Sequence, residues 1–251
     1  MLKFKDNYPL KNVTTLSIGG PAKKFVKVST QAELIKAIEY AINLQIPYLV
    51  IGGGSNLLVS DEGVDCLVIK NETSGIKTSE VNKETSEVKV KSGTSLQTLV
   101  DFAINNGLSG LQKLTGIPGT VGGAVYGNAG AYGQTISDHI KEVVILSEAK
   151  NLILCKNECS FNYRDSIFKK NHNIILEVTF QLNKADPAVV KQVAKEVLEK
   201  RLIKYPPGIK CPGSFFKNLV VSEIPQEILK SIPPEKIIYG KLPAGALLEE
   251  V

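Results

Sequence analysis

Residues 23–30, "KKFVKVST", alternate apolar and polar side chains, the pattern of a strand with one buried face. Thr30 and Glu33 have capping-box spacing, and Leu34, Ala37, Ile38, Ala41 and Ile42 recur as one helical face. Pro47 closes the connection, and "YLVI" reads as a buried strand running straight into "GGGSN". Leu57, Leu58 and Val59 are predicted to continue as a second extended run, and "CLVIK" closes this lobe near residue 70. The order strand, helix, strand is that of a small α/β unit.

A second lobe opens with the charged stretch "SGIKTSEVNKETSEVKVKSG", whose two alternating runs predict a hairpin. Ser95 is placed to cap a helix with the face Leu96, Leu99, Val100, Ala103 and Ile104, and Gly107 to stop it. A long glycine-rich loop follows, and then three predicted strands, in "EVVILSE", "LILC" and "NIILEVTFQL". Asp186 before Pro187 starts a further helix with the stripe Val190, Val193, Ala194 and Val197, which Pro206-Pro207-Gly208 ends. The remainder is loop-rich. The pattern predicts an α+β protein in three pieces, 1–70, 71–183 and 184–251.

At 251 residues the chain can bury a sizeable core, and no uncharged apolar run is long enough to span a bilayer. The opening "MLKFKDNYPLKNVTT" has no apolar export signal, which predicts a cytoplasmic protein. Cys66, Cys155, Cys159 and Cys211 lack zinc-type pairs and read as reduced, packed thiols, with no metal site. Net charge is +5, but lysine alternates with glutamate instead of massing, and aromatics make up only 6%. That argues against a nucleic-acid surface and leaves room for anionic small molecules.

Glycine changes the picture. "LTGIPGTVGGAVYGNAGAYG", residues 114–133, holds seven of the chain's 21 glycines, and a second cluster lies in "IGGGSN" at 51–56. Ordered glycine costs chain entropy, so such density needs a cause: tight turns, or a ligand lying against bare backbone. "YLVIGGGSNLL" does not fit the dinucleotide fingerprint that opens a helix. A glycine turn after a strand can instead aim successive N–H groups at a pyrophosphate, with Ser55 and Asn56 adding donors. Taken alone, "GGGSN" serves equally as a tight hairpin. Together, Gly52, Gly53, Gly54, Ser55, Asn56 and Leu57 with Gly116, Ile117, Pro118, Gly119, Gly122, Gly123, Asn128 and Gly130 suit a long diphosphate-containing ligand such as FAD. Tyr132 lies among the same glycines, and neither loop contains a histidine or cysteine for a covalent flavin link.

"IGGGSNLL", "LTGIPGTVGGAVYGNAGAYG", "CSFNYRDSIF" and "CPGSFFKN" occur in an order and spacing similar to the UDP-N-acetylenolpyruvoylglucosamine reductase family. The similarity runs from "TTLSIGGPA" to the last residue, and "YRDS" followed by "GSFFKN" is its most specific part. The short link from Arg164 to "IILEVTF" resembles the family's compact form. The resemblance implies a vanillyl-alcohol-oxidase-type FAD-binding fold, with subdomains over 1–70 and 71–183 and a substrate domain over 184–251. It also implies non-covalent FAD, NADPH as a reductant that leaves before substrate enters, a UDP-sugar substrate, and a monomer. The implied reaction is reduction of UDP-N-acetyl-3-O-(1-carboxyvinyl)glucosamine to UDP-N-acetylmuramate, in peptidoglycan precursor synthesis. The alternatives are another FAD oxidoreductase of this fold and a non-catalytic FAD- or nucleotide-binding protein.

Reduction of an enolpyruvyl double bond spreads charge onto the adjoining carboxylate, which a rigid guanidinium stabilises better than a flexible ammonium. Arg164 is one of only two arginines among 30 basic residues, and the resemblance gives it that role. Without the resemblance, the lesser alternative is a structural ion-pair partner of Asp165 or another carboxylate. Ser214 matches the family's proton donor, though a serine after Pro-Gly is otherwise a turn residue. Lys217 and Asn218 match substrate contacts, and Tyr163 either orients substrate or fills core. Arg201 reads as a helix-end residue, with an anionic ligand as the alternative, and His139 and His172 as surface or strand-end residues without a role.

Two departures stand out. Leu219 occupies a position where the family usually has proline after Lys-Asn. The family also continues past "AGALLEE" to a glutamate that supports protonation, whereas Glu249 and Glu250 belong to an earlier segment. The expectation is an incomplete substrate domain and impaired turnover.

Overall fold

The computed structural model describes residues 2–147, 150–214 and 216–248. They form two compact units, Met1–Pro212 and Gly213–Val251. The first contains, among the described residues, two large sheets and a two-stranded hairpin.

The smaller sheet comprises β1 (Lys5–Pro9), β2 (Pro21–Val28), β3 (Tyr48–Ile51) and β4 (Val64–Asn71), in the order β1-β2-β4-β3. β2 and β3 both run parallel to β4, a pairing that needs crossovers, and α1 (Gln31–Asn43) makes the first. The predicted capping box is present: Glu33 N–H donates to Thr30 Oγ1 at 3.2 Å, and the Glu33 carboxylate accepts from the Ser29 and Thr30 N–H groups. Those donors hold the Glu33 carboxyl below its ordinary pKa. Leu34, Ala37, Ile38 and Ala41 are buried against the sheet, but Ile42 is exposed. Ile42 lies at the edge of the apolar stripe, past the strip that the sheet covers.

Residues 57–59 are not a strand, contrary to expectation. Among the described residues no strand pairs with them, and Val59 instead packs into the cluster of Leu10, Val13, Phe25 and Val68. The run is anchored end-on, with the Gly20 N–H donating to the Ser60 carbonyl at 2.8 Å.

The larger sheet is antiparallel. The predicted hairpin forms β5 (Ile76–Glu80) and β6 (Thr85–Lys91), and α2 (Leu96–Asn105) follows, capped by Ser95. A short β7 (Leu108–Ser109) leads into the glycine-rich stretch. That stretch is not all loop: α3 (Val121–Tyr126) forms within it, with Thr120 accepting at its cap. β8 (Gly130–Ala131) and β9 (Gln134–Thr135) make a tight hairpin. β10 (Ile140–Ser147), β11 (Lys150–Cys155), α4 (Phe168–Asn171) and β12 (Ile174–Lys184) complete the lobe, in the order β11-β10-β12-β6-β5 with β7 on β12. The last residue of the predicted "EVVILSE" strand, Glu148, lies outside the described residues. Leu96, Leu99, Val100 and Ala103 of α2 pack on Val88, Val143, Val178 and Phe180, while Ile104 is only partly buried.

α5 (Pro187–Lys204) starts where Asp186 accepts from the Ala188 N–H at 2.8 Å, and buries Val190, Ala194 and Val197, with Val193 half-buried. Cys66 and Cys159 are buried, but Cys155 is exposed and so is not a packed thiol. It is the last residue of β11, at the edge of the larger sheet. Burial pushes the Cys159 thiol up to about 12. In the second unit, β13 (Leu219–Val220) pairs with β14 (Lys241–Leu242), beside α6 (Gln226–Leu229) and α7 (Ala244–Leu248). Among the described residues no helix is long and apolar enough to cross a membrane.

Candidate functional site

β3 ends at Ile51 and delivers the first glycine loop directly against the second. A Cβ on Gly53 would stand 3.0 Å from Gly119 Cα, and one on Gly52 would run into Thr120 Oγ1. Ser55 Oγ donates to the Pro118 carbonyl at 3.2 Å, which ties the loops together. Gly119 has φ +112°, and a Cβ there would lie 2.7 Å from Ser55 Oγ. Much of the glycine therefore serves contact within the protein. Gly122 fits against Ser92, and Gly54 against the Val13 carbonyl, in the same way.

Gly123 is different. It is exposed, on α3, and an added Cβ would meet only Thr120 Oγ1, at an ordinary 3.5 Å. Glycine within a helix costs roughly 0.5–1 kcal/mol relative to alanine, and no neighbour among the described residues requires it here. A ligand lying on this face supplies the missing reason. The first loop has a matching feature. Among the described residues, the backbone N–H groups of Gly53, Gly54, Ser55 and Asn56 find no acceptor. Successive unused backbone donors are what an anion-binding nest offers. Lys70 stands behind them, half-buried, its Nζ donating to the Gly52 carbonyl at 3.4 Å. Burial holds this ammonium below the ordinary lysine pKa. Leu57 and Ile117 are half-buried, and Ile117 packs on the core of the larger sheet.

The "NYRD" segment forms a tight turn, with Asn162 and Asp165 exchanging backbone hydrogen bonds at 3.0 and 3.1 Å. Arg164 sits at its corner with φ +53°. This left-handed conformation costs a non-glycine residue roughly 1–2 kcal/mol, so surrounding bonds must hold it. Arg164 Nη2 donates to the Gly130 carbonyl at 2.8 Å and Nη1 to the Asn128 carbonyl at 3.5 Å. Lys169 Nζ donates to the Arg164 carbonyl at 2.7 Å, and Ser166 Oγ to the Tyr126 carbonyl at 2.7 Å. The Arg164 guanidinium also lies 5.7 Å from the centre of the Tyr163 ring, which is half-buried. Among the described residues no carboxylate comes within 4.0 Å of Arg164. Its charge is therefore not spent on Asp165.

A second arginine joins this region. Arg201, near the end of α5, turns toward the second glycine loop: a Cβ on Gly116 would stand 3.0 Å from its Nε. That Nε is buried without a hydrogen-bond partner among the described residues, and the guanidinium carbon lies 5.5 Å from the Tyr205 ring centre. His139 is half-buried beside Gly110, and burial depresses its pKa. His172 is an exposed left-handed residue closing α4. The row of unused N–H groups, the unobstructed glycine on α3 and the uncompensated cations all fit an extended anionic ligand with a flat portion.

The FAD binding domain family matches residues 22–151, the span that contains both glycine loops. UDP-N-acetylenolpyruvoylglucosamine reductase from Solibacter usitatus (strain Ellin6076) is 37% identical over 244 residues, covering 97% of this chain and 77% of that protein. The chain belongs to the UDP-N-acetylenolpyruvoylglucosamine reductase family. The crystal structure of the reductase from Thermus caldophilus agrees with a TM-score of 0.73 at 33% identity, over 100% of this chain and 79% of that one. A solvent-stable cholesterol oxidase matches in fold alone, with a TM-score of 0.53 at 16% identity over 73% of this chain and 38% of that one. The fold is the vanillyl-alcohol-oxidase type.

The first unit of this family member brings together the glycine loops, Asn128, Gly130, Tyr163 and Arg164. Ser214, Lys217 and Asn218 belong to the second unit. There Ser214 and Lys217 are exposed on the segment after Gly213, which has φ +91°, and Asn218 Oδ1 accepts from the Ala244 N–H at 3.2 Å. Phe215, Glu249 and Glu250 lie outside the described residues. Lys70 carried no sequence signal: it ends an apolar strand like many surface lysines.

Proposed function

We propose that this protein reduces UDP-N-acetyl-3-O-(1-carboxyvinyl)glucosamine to UDP-N-acetylmuramate with FAD and NADPH, as a cytoplasmic, monomeric enzyme of peptidoglycan precursor synthesis. The observation that carries this reading is Arg164: a strained guanidinium with no carboxylate partner among the described residues, on a turn anchored to the carbonyls of Asn128 and Gly130 in the glycine-rich stretch. Residues 1–70 and 71–183 serve as the two FAD-binding subdomains, and 184–251 contribute to substrate binding.

FAD, when bound, supplies the hydride that NADPH has delivered to it. Gly53, Gly54, Ser55 and Asn56 would hold its diphosphate through their backbone N–H groups, and the bare backbone at Gly123 would leave room for a flat group. Arg164 grips the substrate carboxylate and stabilises the charge that collects there when the far, methylene carbon of the double bond takes hydride. Its two carbonyl contacts fix the guanidinium plane in advance, so little reorganisation is needed during reaction. Ser214 Oγ donates the proton to the other carbon, and Lys217 and Asn218 bind the substrate.

The test is anaerobic. Protein loaded with FAD is mixed first with NADPH and then with the enolpyruvyl UDP-sugar, while the oxidised flavin band is followed. Bleaching by NADPH and recovery on adding the UDP-sugar support the proposal. Bleaching without recovery, or no flavin binding, contradicts it.

A further inference from the structure

The half-buried ammonium of Lys70 has too few partners for its position. A lysine ammonium carries three donors, and Lys70 makes a single hydrogen bond among the described residues, to the Gly52 carbonyl at 3.4 Å. No carboxylate comes within 4.0 Å of it among those residues. Its neighbour across the sheet, Lys27, pairs with it in register but spends its own charge on Glu72 at 3.2 Å. The Glu72 carboxylate acts on Lys70 only from beyond ion-pair distance and is shared with Lys27, so burial outweighs it, and a partly desolvated cation so weakly compensated is costly unless a ligand supplies a closer anion.

The register shows where that anion belongs. Lys70 lies beside Ile51, the last residue of β3, so its side chain stands at the root of the first glycine loop. It shares the β4 face of Cys66 and Val68, the face on which Val13 and Val59 pack. Gly54 is pinned to this side too, its carbonyl accepting from the Thr15 N–H at 3.1 Å. The four unused N–H groups of residues 53–56 and the unspent ammonium thus converge on one loop. N–H groups alone supply partial charges, whereas a diphosphate carries full ones.

Resting on the FAD reading above, we infer that Lys70 is a binding residue for the cofactor's diphosphate, acting with the N–H groups of Gly53 to Asn56. The charge-assisted hydrogen bonds it forms keep FAD on the protein, and its removal weakens binding without touching hydride chemistry.

The test is FAD titration of flavin-stripped full chain, followed by flavin fluorescence at low and high salt, for wild type, Lys70→Gln and Lys70→Arg. A charge-assisted bond predicts a loss of roughly 10–100-fold in affinity for Lys70→Gln, with a shallower salt dependence, and near-wild-type binding for Lys70→Arg. Equal affinity of wild type and Lys70→Gln overturns the inference and leaves the FAD reading intact. A loss with unchanged salt dependence makes Lys70 a prop for the Gly52 carbonyl and also overturns it. Failure of the wild type to bind FAD removes the reading itself. If Lys70→Gln does not fold, acylation of lysines in the wild type decides: FAD should shield Lys70 and leave Lys27 unchanged, and equal labelling of Lys70 with and without FAD refutes the inference.

Discussion

The side-chain amide of Asn128 donates to the Asn162 carbonyl at 2.9 Å, and so locks the glycine-rich loop to the turn that carries Arg164. Asn128 is buried, holds φ +42°, and accepts from the Ser137 N–H at 3.4 Å through Oδ1. Asn128→Ala removes both bonds and leaves the Asn162 carbonyl without this donor, at a cost of about 1–3 kcal/mol. Thermal unfolding of the flavin-free protein should show a lowered Tm. An unchanged Tm would mean that the two segments are held by other contacts.

Arg164→Lys keeps the charge but gives up the planar fork that spans two carbonyls. Reoxidation of the reduced flavin by the enolpyruvyl UDP-sugar should slow by ~10²–10³, with flavin reduction by NADPH largely preserved. Equal losses in both half-reactions would assign Arg164 to folding.

The glycines divide into two kinds, and substitution separates them. Gly53→Val places side-chain atoms against Gly119 and should destabilise the flavin-free protein by about 1–3 kcal/mol. Gly123→Ala meets ordinary contacts, so it should raise Tm slightly while weakening FAD binding. FAD affinity unaffected by Gly123→Ala would show that nothing lies on that face of α3.

His139 gives the pH dependence. Burial depresses its folded-state pKa below the ordinary 6.5, so below that value the unfolded chain binds a proton that the folded one resists. Stability is then fully present above pH 6.5 and declines as pH falls through the interval between the unfolded and folded values. Unfolding of His139→Gln across that range should show a shallower decline than wild type. Identical slopes would remove His139 from the account.

The elements with strong periodicity or caps were legible in the sequence: α1 from Thr30 and Glu33, α2 from Ser95 and Gly107, and α5 from Asp186 and Pro187. Residues 57–59 read as a strand because their composition is right, but a strand also needs a neighbour, which one sequence does not reveal. α3 was hidden because glycine is a poor helix former, and here Thr120 and packing against Ser92 override that propensity. The glycine loops announced a close approach without saying to what, and the structure divides the answer between loop against loop at Gly53 and open face at Gly123. The sequence leaves Arg201 open between a helix end and an anion site and gives no signal for Lys70, because what bears on each is how little it pairs with among the described residues, a property of three dimensions alone.

The central claim is that one flavin passes electrons from NADPH to an enolpyruvyl UDP-sugar on this chain. Stopped-flow absorbance of the FAD-loaded protein without oxygen tests it most directly. NADPH should bleach the oxidised flavin band, and the UDP-sugar, added second, should restore it with formation of the lactyl product. A reduced flavin that the UDP-sugar leaves bleached, and that only oxygen restores, would contradict it.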